Sequence, residues 1–247
     1  MANKKFYLMT CLFTALTLFF VSCDKDDNKQ GNGANSKRIA KLTEVQNPGT
    51  EDESTHQMVY EYDNMGRVVK ALIEDLDKTS DVTYYSYSAD KIIVETTYRT
   101  DILKLNDNGL VSKINMGPMN IECSYNNKNE LIKQINAGGI LDYNWNNGNI
   151  VNFKVDSEGN GISNYNVTYT NYKNREQLTI NLGTFSPNIF KGIYGVGTKN
   201  LPASVTSDVR KLTYEYEFDK DGDITKMTIK EESPDKEIER MIIYIEY

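Results

Sequence analysis

Histidine occurs once in these 247 residues and cysteine three times, and cations are outnumbered by anions, leaving a net charge of −7. Each shortage excludes something. A Ser-His triad or a histidine-rich metal site would have to be built on His56 alone, which all but removes both classes. His56 follows the polar, acidic run Glu51-Asp-Glu-Ser-Thr55 and precedes a strand, so it reads as an exposed residue. Cys11 and Cys23 sit in and just after the N-terminal apolar run. Cys123 is then alone, and no intrachain disulfide is expected. It alternates with Ile121 and Tyr125, which suits a small buried hydrophobe; a reactive thiol is the alternative. The deficit of positive charge argues against nucleic acid and against direct adhesion to anionic lipid. Neither a P-loop nor a dinucleotide fingerprint is present. Carboxylates are plentiful, but no pair stands out as a glycosidase-like couple. No cofactor, no metal and no enzymatic activity are expected.

One segment raises the question of calcium. Asp219-Lys-Asp221-Gly222-Asp223 has alternating carboxylates, but its glycine is fourth, where a calcium loop of the EF-hand type needs it sixth. The same slot elsewhere in the chain is a hairpin turn, and that reading is preferred here.

The N-terminus gives an address. Lys4 and Lys5 precede a mostly apolar run from Phe6 to Ser22, interrupted by Thr10, Thr14 and Thr17. That is the layout of a secretory signal, and it is marginal for a membrane span, which needs about 20 apolar residues. Phe20-Val21-Ser22-Cys23 resembles a bacterial lipobox, with Phe where Leu is more usual. The resemblance implies cleavage before Cys23 and lipid attachment there; a plain signal peptide or an uncleaved anchor is the alternative. Several acyl chains, at about 0.8 kcal/mol per buried CH₂, would anchor durably. Cys23-Asp-Lys-Asp-Asp27 resembles the acidic export signal of Bacteroidetes surface lipoproteins. It implies display at the cell surface in preference to a periplasm-facing position on the outer membrane. Loss of residues 1–22 removes Lys4 and Lys5 and takes the charge from −7 to −9. Residues from Asp24 to Ser36 carry no apolar run and read as a flexible tether, placing the domain roughly 20 Å from the membrane. The expected organisation is a signal at 1–22, a lipidated cysteine and acidic tether at 23–37, and one domain at 38–247.

Tyrosine is abundant, with 17 residues, and Asn, Thr, Ile and Val are frequent while Ala is scarce. This is β-composition. The chain also repeats a phrase. Tyr60-Glu-Tyr62-Asp63-Asn-Met-Gly66-Arg67-Val68 puts an alternating strand before an Asx residue, a tight turn with Gly, and a second strand. The phrase returns at Leu103–Lys113, Cys123–Lys133 and Tyr216–Lys226, and in shorter form at Tyr85–Ile92 and Tyr143–Ile150. Asx bonds its own backbone two residues on, and Gly or Asn accepts the positive φ of a tight hairpin. Alternation puts Tyr60/Tyr62, Tyr85/Tyr87, Leu103/Leu105, Cys123/Tyr125 and Tyr143/Trp145 on one face. After the turns the alternation weakens, as if some second strands were covered on both faces.

These features predict an all-β antiparallel meander of about 14–16 short strands, forming one large curved sheet or open barrel, since a sheet this large must curl or close. Edge segments Arg38–Val45 and Ile238–Tyr247 should pair with each other or with another chain. Ser186-Pro187 reads as a helix start. A short helix near 187–196, carrying Ile189, Phe190, Ile193 and Tyr194, should plug the inner face; a mobile lid is the alternative.

The phrase resembles the YD repeats of Rhs-type shells and teneurins, closest at Tyr60-Glu-Tyr62-Asp63 with Gly66-Arg67. The chain from 38 to 247, with Lys199-Asn200-Leu201-Pro202, Tyr214-Glu-Tyr216 and Asp219-Lys-Asp-Gly222, resembles a Bacteroidetes lipoprotein family of unknown function described as porin-like in fold. The resemblance implies fold and location. It does not imply a pore: transmembrane strands need about 9–11 residues and an apolar outer band, whereas these strands alternate aromatics with Lys, Glu or Asp. The expected protein is an outer-membrane lipoprotein acting as a non-catalytic binding or scaffold module. Its expected partners are the membrane through Cys23 and a glycan or another envelope protein, with no nucleic acid. The aromatic rows could stack on sugars, though they suit a core better. The alternative is a carrier holding an apolar ligand between sheet and helix, which needs an unfilled cavity under residues 187–196.

Overall fold

The computed structural model describes residues 37–75, 81–159, 161–175, 177–190, 192–233 and 239–247. The expected signal, Cys23 and the tether up to Ser36 lie outside the described residues.

Strands follow one another with little between them. They are β1 (Lys41–Gln46), β2 (Ser54–Tyr62), β3 (Val68–Asp75), β4 (Asp81–Tyr87), β5 (Lys91–Glu95), β6 (Thr100–Leu105), β7 (Val111–Met116), β8 (Met119–Tyr125) and β9 (Leu131–Asn136). Then come β10 (Gly139–Asn146), β11 (Asn149–Ser157), β12 (Gly161–Lys173), β13 (Leu178–Asn181), β14 (Thr184–Pro187), β15 (Asn200–Thr206), β16 (Lys211–Phe218), β17 (Ile224–Glu232) and β18 (Glu239–Glu246). Sixteen of them form a closed antiparallel barrel, and β13 and β14 form a separate hairpin. The meander is as expected, and the sheet closes fully: β1 pairs with β18, Leu42 opposite Ile245 and Gln46 opposite Met241. No edge is left on the barrel wall.

Turn chemistry explains the repeated phrase. Asp63 Oδ1 accepts the amides of Met65 and Arg67 at 3.0 and 2.9 Å. Asn106, Asn126 and Asp219 do the same for the amides two and four residues on. The fourth position of each phrase takes positive φ: Gly66, Gly109, Asn129 and Gly222 at 83°, 75°, 60° and 85°. All these turns lie at one end of the barrel.

Just past the turn the ladder slips. Five hairpins carry a register shift at the same place, between Glu61/Tyr62, Lys104/Leu105, Ser124/Tyr125, Asn144/Trp145 and Glu217/Phe218. A bulge inserts one residue, so inward positions after the turn are spaced by three: Val68 and Ala71, Val111 and Ile114, Leu131 and Gln134, Ile150 and Phe153, Ile224 and Met227, all buried. That corrects the expectation of strands covered on both faces. The alternation is displaced by the bulge.

The bulges also explain the aromatic near the turn end of the strand that follows each bulged one. Its polar atom donates to the backbone carbonyl at the start of the neighbouring strand, in most cases the residue just before the bulge. Tyr62 bonds Ile39 O, Tyr87 bonds Val68 O, and Tyr125 bonds Val111 O. Trp145 bonds Leu131 O, Tyr169 bonds Ile150 O, Tyr216 bonds Pro202 O and Tyr247 bonds Ile224 O, all at 2.7–3.0 Å. An irregular ladder leaves carbonyls in need of a donor, and the aromatic supplies one while its ring packs inward.

The wall is apolar inside and charged outside. Lys70–Glu61 (2.6 Å), Lys113–Glu122 (3.1 Å), Lys133–Asp142 (3.4 Å) and Lys226–Glu217 (2.7 Å) bridge neighbouring strands on the outer face. A lipid-facing barrel surface would reverse this pattern, since each Lys near a bilayer midplane costs about 2–4 kcal/mol. The outer wall is a water-facing surface.

Candidate functional site

Three features carry functional information: the lumen, the turn end where the N-terminal segment enters, and the mouth at the opposite end.

The lumen is filled from within the chain. Between β12 and β15, where a tight turn would otherwise stand, the hairpin β13–β14 and the buried Phe190, Ile193 and Tyr194 fold into the barrel. The described residues of the expected helix near 187–196 are not helical. Pro187 instead ends β14, paired with Leu178, and the amide of Asn188 donates to Gln177 O. Residues 188–190 and 192–199 run as coil and turn. The plugging role is nonetheless met: Phe185, Phe190, Ile193 and Tyr194 are buried within the common core. Phe190 packs on Tyr85, with ring centroids 5.6 Å apart, and Phe185 meets Tyr214 edge-on. The rows of repeat aromatics are therefore core, not an exposed stacking platform.

Polar groups fix the plug at both ends. At the hairpin tip, Gln134 Oε1 accepts Leu182 N at 2.9 Å and the Tyr143 hydroxyl at 2.7 Å, and that hydroxyl accepts Gly183 N at 3.1 Å. Gln134 is fully buried. Its amide also reaches Cys123 Sγ at 3.7 Å. Cys123 is buried as expected, and burial pushes its thiol up to about 11, far from a reactive thiolate. At the turn end, Gln177 Oε1 accepts Ile224 N, Val111 N donates to Ile193 O, Val196 N to Asn129 O, and Lys199 N to Gly148 O, all at 2.7–2.9 Å. The plug is thus part of the hydrogen-bonding of the turn end. Gln134 was not singled out from sequence. Its signal was a polar residue at the inward position three past Leu131.

The N-terminal segment enters beside this end. Lys37 Nζ lies 2.6 Å from Asp219, 2.7 Å from Asp221 and 3.6 Å from Asp223, and 6.0 Å from the ring of Tyr247. The hydrogen bond from Lys37 holds the Asp219 carboxyl down at about 2, and the same contact raises the lysine. The carboxylates that hinted at calcium face an ammonium of the same chain. Among the described residues no group of three or more carboxylate, His or Cys side chains is arranged to hold a metal. Arg38 stacks over Tyr62 at 5.7 Å.

The mouth is polar inside and acidic around its rim. His56 is not the exposed loop residue expected; it lies half-buried in β2, opposite Glu44. Burial raises the Glu44 carboxyl despite a 2.8 Å hydrogen bond from Gln46 and the nearby His56. Asp101 is fully buried and accepts Arg99 Nε at 2.8 Å, and Arg210 pairs with Glu231 at 3.2 Å. These are ion pairs and buried acids held by the wall. Around them Glu51, Asp52, Glu53, Glu158, Asp208 and Glu239 are exposed.

No family model and no curated protein matches this chain. Among solved structures, it is similar to a porin-like protein from Bacteroides uniformis. The two share 14% identity with a TM-score of 0.66, over 84% of this chain and 98% of that one. At this identity the likeness is one of fold, and it agrees with the porin-like architecture expected from sequence.

Proposed function

We propose that the protein is an outer-membrane lipoprotein, anchored through Cys23 and displayed at the cell surface, that acts as a non-catalytic binding or scaffold module for a glycan or another envelope protein. The observation that carries this reading is the chain's own plug within the lumen, with Phe185, Phe190 and Ile193 each at most 2% exposed. A carrier needs room where those side chains stand, and a conduit needs water there. The packed plug weighs against both, and recognition is left to the outside. Tyr98, 80% exposed beside the mouth, and Tyr84, 52% exposed on the wall, are aromatics available for stacking on a partner. The acidic mouth and charged wall make nucleic acid an unsuitable partner.

The test has two parts. Mass spectrometry of the chain purified from its own host should find acyl groups on Cys23, and Cys23→Ser should release it from the membrane fraction. Native mass spectrometry of the same protein should give a clean unliganded mass, while surface cross-linking on whole cells or a glycan array should capture a partner. A reproducible apolar adduct lost on unfolding would overturn the binding-module reading in favour of a carrier.

A further inference from the structure

Resting on the anchored reading above, we propose that the barrel stands on its plugged end: the tight turns and plug face the lipid surface, and the acidic mouth faces away. Two observations, independent of each other, point the same way.

The first is where the chain enters. The segment from Cys23 reaches the described structure at Lys37, and Lys37 is gripped by three carboxylates of the 219–223 turn and lies over Tyr247. Arg38, next in line, stacks on Tyr62. Tyr62 and Tyr247 are the turn-end aromatics of β2 and β18, so the entry point is pinned to the plugged end. The chain therefore joins the barrel at the plugged end, and the mouth stands a further strand length away, about 20–30 Å at roughly 3.3 Å per residue.

The second is the distribution of charge. The mouth carries exposed Glu51, Asp52, Glu53, Glu158, Asp208, Glu232 and Glu239 against exposed Lys211 and Arg240. At the plugged end exposed Lys128, Lys173, Lys199 and Lys220 are interspersed with Asp90, Asp107 and Asp221, and Met65 and Val196 stand exposed among them, at 54% and 46%. An anionic lipid surface repels the first end and tolerates the second. Entry point and field therefore select one orientation, and the mouth loops, with Tyr98, become the surface presented to the surroundings.

The full lipidated chain, reconstituted in vesicles of neutral and anionic phospholipid carrying a headgroup quencher, tests this. A fluorophore at Asn108→Cys reports the turn end and one at Asp208→Cys the mouth. The turn-end probe should be quenched several-fold more strongly. Lys37→Ala should narrow that difference; an unchanged difference would overturn the role of the grip. Equal quenching at both ends on a chain whose acyl mass is verified would overturn the orientation alone. A chain without acyl mass would overturn the anchor, and the orientation with it.

Discussion

At the scale of single residues the barrel depends on a small set of side chains that each satisfy one backbone group. The hydroxyl of Tyr125 does so for Val111 O at 2.9 Å. Removing it leaves the carbonyl of buried Val111 without that donor, at a cost of about 1 kcal/mol. In a domain of this size that is roughly 2–4 °C in Tm. Tyr125→Phe, Tyr62→Phe and Tyr169→Phe should each lower Tm by that amount, and the double variants should add, since the bonds stand on different hairpins; differential scanning calorimetry checks both points. Leu105 occupies the corresponding place in β6 without a hydroxyl, so one unit already does without the bond. Glu44 acts in the opposite sense. Burial raises its carboxyl above the ordinary 4.5, so the ionised form weakens the fold at neutral pH, and stability is regained as pH falls through the raised value. Glu44→Gln should therefore melt higher than the parent at pH 8, and the gap should close as pH approaches 4.5. Asp219, held down near 2 by Lys37, loses its contribution only below the ordinary 3.8, outside that window. Thermal melts of both proteins across pH 5–8 decide it.

At the scale of elements, the plug is where packing tolerates least. Gly195 has φ +81°, and a Cβ there would collide with the carbonyl oxygen of Asn129, the same oxygen that accepts Val196 N. Gly49 has φ +82° with open space around it. Both Ala variants carry the left-handed penalty of about 1–2 kcal/mol, but Gly195→Ala must also lift the plug from the rim. It should lose at least twice the stability of Gly49→Ala in urea unfolding, with faster hydrogen exchange at Ile193 and Val196. What could be read from sequence here follows the same division. Asp63, Gly66, Asn106, Gly109, Asn126 and Asn129 act within four residues of themselves, so their turns were legible. The plug was not. Ser186-Pro187 has the local chemistry of a helix start, and the clustering of Ile189, Phe190, Ile193 and Tyr194 fits a helical stripe. A lumen that surrounds the segment buries those side chains without requiring a helical face. Pro187, lacking an N–H, suits the end of a two-stranded pair. The bulges were half-visible. Val111/Ile114 and Leu131/Gln134 break the period of two, and only the pairing registers show that one inserted residue is the cause. Cys23 lies outside the described residues, and the mouth acids come together only through closure of the barrel.

At the scale of the whole molecule, closure is the property that individual hairpins cannot provide. Each hairpin buries one face, but a row of them leaves two edges, and a twisted sheet of sixteen strands exposes its apolar face unless the edges meet. They meet through β1 and β18, where Leu42 opposes Ile245, Glu44 opposes Ile243, and Lys41 bridges Glu246 at 2.8 Å. If closure and not chain order is what matters, the seam has no privileged position. Lys37 and Tyr247 are neighbours, so a short Gly-Ser linker can join the ends, and new termini can be opened in the exposed turn at Asp107-Asn108. That permutant keeps every strand pair of the barrel and should melt in one cooperative transition within a few degrees of the parent. A chain ending at Ser233 keeps its order but loses β18, baring the edges of β1 and β17 with Leu42, Met227 and Ile229 beside them. It should fail to melt cooperatively and should elute as aggregate in size-exclusion chromatography. A well-folded truncation together with an unfolded permutant would mean that chain order, not the closed wall, holds the barrel together.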